Sequence, residues 1–174
     1  MLQRNLLINE RASNDRAIQV AVSDRTGKVD LFSVSDFNIG ATSTVPLPGS
    51  KLVGSVACLL LTQILAPDEL TQLRLIKVDV EGAELAIRRH LLEHLSLFPK
   101  NMDLIVEVNP DTDKYAWVSM FDQLKEAGFL AYEITNQYNR EWYLIWREPS
   151  PLRMAEALPS SLQDILFARR ALNP

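Results

Sequence analysis

The stretch Leu75-Ile76-Lys77-Val78-Asp79-Val80-Glu81-Gly82-Ala83-Glu84 limits what this chain can fold into more than any other, because an apolar strand runs straight into acids and a glycine where a helix begins. A strand that hands over to a helix in this way belongs to an α/β sheet. In open sheets of that kind ligands bind beyond the carboxyl ends of the strands, which puts Asp79 and Glu81 in position to meet a substrate. The same residues also suit a strand-to-helix turn capped by acids, an arrangement that the helix dipole favours. The segment alone leaves both readings open.

The rest of the chain narrows the class. Its 174 residues are 47% apolar and 23% charged, which is ordinary for one domain with a sizeable core. A net charge of −4 argues against non-specific nucleic-acid binding, which needs a basic surface to displace phosphate counterions. The single cysteine, Cys58, lies in the apolar run Val56-Ala57-Cys58-Leu59-Leu60-Leu61, where a buried thiol in a reducing cytoplasm is the expected reading. Polar residues interrupt the N-terminal Met1-Leu2-Gln3-Arg4-Asn5-Leu6-Leu7-Ile8-Asn9-Glu10, so no secretory signal is expected there. The longest apolar stretch, residues 52–66, is broken by Gly54, Ser55, Thr62 and Gln63 and falls short of the ~20 residues that span a bilayer. Neither a membrane nor nucleic acid is therefore an expected partner.

Periodicity predicts the order of elements. Residues 17–22 alternate as a strand, Ser23-Asp24-Arg25-Thr26-Gly27 supplies a turn, and residues 28–33 return as a second strand, a hairpin by pattern. Residues 35–50 carry no clear period and read as a long loop of the kind that covers sites. Residues 53–59 read as an edge strand and 61–73 as a short helix broken at Pro67. Ala83, Ile87, Leu91 and Leu95 place an amphipathic helix over 82–97, residues 103–109 read as a second buried strand, and 115–127 as a helix closed by Gly128. Residues 129–134 and 142–147 read as an antiparallel pair around the turn 136–140, and 161–172 as a C-terminal helix. The expected division is a domain over 1–148 followed by a tail and helix over 149–174.

Several chemistries are absent or weak. The six glycines, at 27, 40, 49, 54, 82 and 128, form no Gly-x-Gly, so neither a dinucleotide fingerprint nor a P-loop is encoded. A glycine-flanked serine nucleophile is also missing. His90-Leu91-Leu92-Glu93-His94 matches the His-x-x-Glu-His order of inverted zinc peptidases and sets two imidazoles one turn apart, yet a third ligand would have to come from elsewhere, Glu156 being a guess. Chance matches to so short a pattern are common, and no metal is expected. The strand ends are better connected: in a parallel pair Asp79, Glu81, Glu107 and Asn109 converge on one rim, where carboxylates serve as a general base or attract a cation. Pairing of Glu107 with an arginine or lysine is the structural alternative.

With these residues assembled, the chain resembles the FkbM family of S-adenosylmethionine-dependent methyltransferases. Residues 76–85, Ile-Lys-Val-Asp-Val-Glu-Gly-Ala-Glu-Leu, are similar to the family's I-K-x-D-V-E-G-x-E pattern. Ala21-Val22-Ser23-Asp24-Arg25-Thr26-Gly27 is similar to its A-x-S-D-x-x-G turn, Asn38-Ile39-Gly40-Ala41-Thr42-Ser43 to its Asn/Gly/Ser loop, and Asp103-Leu104-Ile105-Val106-Glu107-Val108 to its next strand. The resemblance covers about residues 2–147. It implies a partial class I methyltransferase (Rossmann-like) α/β sheet with flanking helices, and usually O-methylation of a small-molecule or sugar hydroxyl. It also implies S-adenosylmethionine as cofactor, with Ser23 and Asp24 near its adenine side, Asp79 and Glu81 facing the sulfonium and the acceptor hydroxyl, and Asn38 and Ser43 in a loop over the substrate; with Glu107 from the strand-end set, Asp79 and Glu81 are the expected catalytic acids. Thr62 departs from the Asp that the family commonly has after a leucine there.

A larger departure is that the family's glycine-rich cofactor loop and the strand ending in a ribose-binding acid have no counterpart, residues 2–9 being similar to the helix that follows them. The expected consequences are weak or no binding of S-adenosylmethionine by these 174 residues, and either unpaired sheet edges or direct pairing where the two strands would stand. Self-association through such edges, by a non-catalytic remnant serving as an interaction module, is the alternative function.

Overall fold

The computed structural model describes residues 2–11, 13, 15–33, 42–46, 48–80, 83–136, 139–148 and 150–172. They form a mixed α/β chain with two mixed sheets. The first sheet holds β1 (Ala21–Val22), β2 (Gly27–Ser33), β3 (Thr42–Ser43) and β4 (Lys51–Leu59) in the order β1-β4-β2-β3. The second holds β5 (Leu75–Val78), β6 (Asp103–Val108), β7 (Leu130–Ile134), β8 (Arg153–Met154) and β9 (Gln163–Ala168) in the order β5-β6-β9-β7-β8.

Helix α1 (Leu2–Ile8) precedes the first sheet, and α2 (Leu61–Ile64) and α3 (Pro67–Gln72) join the two sheets. The break between α2 and α3 falls where Pro67 was expected to put it. Proline takes the first helical position, and the Glu69 carboxylate accepts the Ala66 N–H at 2.7 Å to close the turn. Between β5 and β6 lies α4 (Glu84–Glu93), extended by a 3-10 turn at Leu95–Leu97; α5 (Lys114–Glu126) follows β6. Asp113 caps α5 by accepting the Ala116 N–H. Past its end Gly128 sits at φ +87°, its N–H bonded to Lys125 O and that of Phe129 to Leu124 O, a Schellman ending that needs the left-handed conformation glycine adopts freely.

One core carries most of the packing. β6 alternates strictly, with Leu104, Val106 and Val108 buried on the face that α4 and α5 cover. Ile87 and Leu91 of α4 meet Trp117, Met120, Phe121 and Leu124 of α5 over this face, and Ile165 and Phe167 of β9 complete it. Burial of this many apolar side chains, each contributing roughly 1.5–3 kcal/mol, fixes the register of the five-stranded sheet. Leu75, Leu130 and Met154, on the opposite face, remain exposed.

Four expectations are corrected. Residues 17–22 and 28–33 form no hairpin: β4 stands between β1 and β2, parallel to the first and antiparallel to the second, so residues 53–59 are internal rather than an edge. Residues 142–147 form no strand, because α6 (Arg140–Leu144) starts there, capped by Asn139 Oδ1 on the Trp142 N–H at 2.8 Å. The C-terminal antiparallel pair is made instead by β7 with β8 and β9. Residues 161–172, expected to be a helix in a tail, hold β9 at the centre of the second sheet, paired with both β6 and β7. By contrast, the parallel pairing of residues 75–78 with 103–106 is as expected.

Among the described residues β1 and β5 are the outer strands of their sheets, so the edges are left unpaired rather than joined to each other. No helix of the described residues is long and apolar enough to cross a membrane.

Candidate active site at the rim of the second sheet

The carboxyl end of β5 opens on a cleft of about 510 Å³ between the sheets, lined by Val20, Ala21, Val22, Thr42, Thr44, Ser55, Val56, Asp79, Val80 and Ala83. The volume suits a small molecule. Behind the cleft Glu84, buried in the first turn of α4, accepts the Val80 N–H at 3.2 Å. This bond ties the residue after Asp79 to the first turn of α4. Sequence reasoning placed Glu84 in the motif without a role; its spacing four residues after Val80 was the available signal.

Asp79 and Glu107 converge as the parallel pairing requires. Val78 stands opposite Val106, so Asp79 and Glu107 follow one step further along adjacent strands, on the face away from α4 and α5. Lys77, two residues before Asp79 and on the same face, donates to Asp79 Oδ2 at 2.9 Å. That bond raises the Lys77 ammonium above its usual pKa; burial opposes it, and the charges of Asp79, Asp164 and Glu107 add to the rise. One lysine thus faces three carboxylates. Asp164, in the stretch expected to be helical, was missed for that reason.

The other proposed site residues are placed less simply. Ser23 Oγ lies 3.4 Å from Asp24 Oδ1, and Asp24 Oδ2 accepts from Arg89 of α4 at 3.1 Å. Asp24 is therefore a tie between the turn after β1 and α4. Ser43 is buried, and its hydroxyl accepts the Val45 N–H at 2.9 Å; Thr42 and Thr44 on either side of it reach the cleft. Asn109 Oδ1 accepts the Asp111 N–H at 3.2 Å, a local turn bond. Glu81 and Asn38 lie outside the described residues.

The histidine pair has packing partners. His90, 2% exposed, has Nε2 at 3.3 Å from Thr62 Oγ1; His94 Nδ1 is 3.0 Å from His90 O, and the rings stand 4.4 Å apart. No group of three or more His, Cys, Asp or Glu side chains suited to a metal ion occurs among the described residues. Burial lowers the His90 pKa from its ordinary 6.5, the neighbouring His94 lowers it further, and Glu93 and Asp24 oppose. The folded chain therefore binds fewer protons at His90 than the unfolded chain. The stabilisation is complete above the unfolded value and drains away as pH falls below it toward the lowered folded value. Urea unfolding midpoints are expected to drop between about pH 7 and about pH 5, and His90→Gln to flatten that drop; an unaltered slope would remove His90 as its source.

No family model, no curated protein and no solved structure matches this chain.

Proposed function

We propose that this chain is the acceptor side of an S-adenosylmethionine-dependent O-methyltransferase of the FkbM type, acting on a small-molecule or sugar hydroxyl. One observation carries the reading: two parallel strands deliver Asp79 and Glu107 to the same face at their carboxyl ends, beside a cleft of ligand size.

The residues present fit the acceptor better than the cofactor. A hydroxyl in the cleft meets a carboxylate at Asp79, while the described lining residues include no glycine-rich turn to cradle the cofactor's amino-acid end and Asp24 is engaged by Arg89. When bound, the cofactor supplies an electrophilic methyl group. The chain orients the acceptor, and Asp79 accepts the hydroxyl proton as the oxygen becomes a nucleophile. Lys77 holds the Asp79 carboxylate in place for this role.

Calorimetry with S-adenosylmethionine tests the reading. A dissociation constant weaker than about 100 μM is expected, whereas micromolar binding would overturn the statement that the cofactor side is incomplete. The unpaired β1 and β5 edges favour a second reading, an interaction module that self-associates by strand pairing; no binding at millimolar cofactor, together with concentration-dependent dimers in sedimentation, would favour it.

A further inference from the structure

A second cleft, of about 380 Å³, opens where β7 ends at Ile134 and Thr135, with α6 and the residues after it supplying the rest of its lining. Its apolar wall is Ile134, Ile145 and Leu152. Its charged residues are Arg147 and Glu148, consecutive, opposite in sign and both exposed. The Arg147 guanidinium carbon stands 4.9 Å from the centre of the Trp142 ring, a cation–π contact that holds it in place, and Trp142 lines the same cleft. Among the described residues neither Arg147 nor Glu148 has an ion-pair partner, and the Thr135 and Ser150 hydroxyls, also in the lining, have no hydrogen-bond partner.

Exposed charges are ordinarily satisfied by water. What sets these two apart is a cleft of ligand size at the carboxyl end of a strand, with a guanidinium already fixed in it that loses little further freedom on binding. The two signs then select the ligand. A simple anion drawn to Arg147 is repelled by Glu148, and a simple cation meets the reverse. A small molecule that carries both charges close together pairs with both residues at once, and the apolar wall adds a place for an aliphatic group.

We infer that this cleft binds an aliphatic α-amino acid in its zwitterionic form. The carboxylate accepts from Arg147, the ammonium donates to Glu148, and the side chain packs against Ile134, Ile145 and Leu152. The Thr135 and Ser150 hydroxyls are left for the remaining hydrogen bonds of the two charged groups. The site shares no lining residue with the cleft at Asp79 and stands independently of the methyltransferase reading.

Leucine, isocaproate and isoamylamine share one branched carbon skeleton and carry both charges, only the negative or only the positive, so they serve as the probes. In amide NMR titrations of the full chain at neutral pH, leucine is expected to shift Thr135, Ile145, Arg147 and Leu152 at concentrations about tenfold lower than either relative, the loss of one charge-assisted contact costing about that factor. Arg147→Gln should remove the advantage over the amine and Glu148→Gln the advantage over the acid, whereas Arg25→Gln, at an exposed arginine between β1 and β2, should leave both intact. Equal titration by leucine and either relative, no shift at these four residues by about 50 mM leucine, or advantages that survive the two replacements would overturn the site. Both replaced residues are exposed, so the fold is expected to persist, and the comparison of the three probes on the unaltered chain stands without them.

Discussion

Replacing Phe167 with alanine is expected to cost about 3–5 kcal/mol, the usual range for emptying a buried aromatic site, and to lower the melting midpoint by roughly 6–20 °C for a domain of this size. Phe167 is 0% exposed on β9, opposite Leu104 of β6 and Ala131 of β7, with its ring edge-on to Phe121 at 5.1 Å between centroids. It touches both partner strands and α5, so the void has little room to collapse. The loss is a large part of the 5–15 kcal/mol that holds a typical domain together. A change below about 1 kcal/mol would be the mark of a surface helix over residues 161–172 and would contradict the central placement of β9.

Asp79→Asn is the change expected to matter most for chemistry. Under the proposed methyltransferase reading, in a form that turns over, losing the carboxylate should lower kcat by about 10²–10⁴, the usual contribution of a positioned general base. It should leave the fold intact. The Lys77–Asp79 pair is half-exposed, with side chains 52% and 43% accessible, and exposed pairs of this kind contribute about 0–1 kcal/mol. Loss of turnover with an unchanged unfolding midpoint separates a reacting carboxylate from a structural one. Unchanged turnover would remove Asp79 from the site.

How much of this was legible follows from where each element gets its stability. β5, α4, β6 and α5 are found within a residue or two of their expected places, apart from the end of α4, where a 3-10 turn takes over, and Gly82 at its expected start, which lies outside the described residues. Their signals are local: an alternating or 3.6-residue apolar pattern bounded by Pro67, Asp113 and Gly128. The run Trp142-Tyr143-Leu144-Ile145-Trp146 misleads because its aromatic and branched residues favour strands, whereas the Asn139 cap starts a helix and Tyr143, Leu144, Ile145 and Trp146 stay exposed. β9 misleads in the opposite sense. A strand enclosed by two neighbours shows a continuous apolar run, Ile165-Leu166-Phe167-Ala168, which periodicity alone does not distinguish from a buried helix. That misreading also hid Asp164. The β1-turn-β2 pattern contains nothing that announces β4, since its insertion depends on contacts from about 30 residues further along the chain.

Within the site, Asp79 and Glu107 were legible because strand parity and parallel pairing together determine which residues share a rim. Ser43 was less so, as a hydroxyl in a turn bonds the backbone two residues on as readily as a ligand.

The location of cofactor binding tests the account most directly. In an amide NMR titration of this chain with S-adenosylmethionine to millimolar concentration, the shifts are expected at Val22, Asp79, Val80 and Ala83 around the cleft, with a dissociation constant weaker than about 100 μM. Micromolar binding, or shifts that saturate elsewhere on the chain, would contradict it.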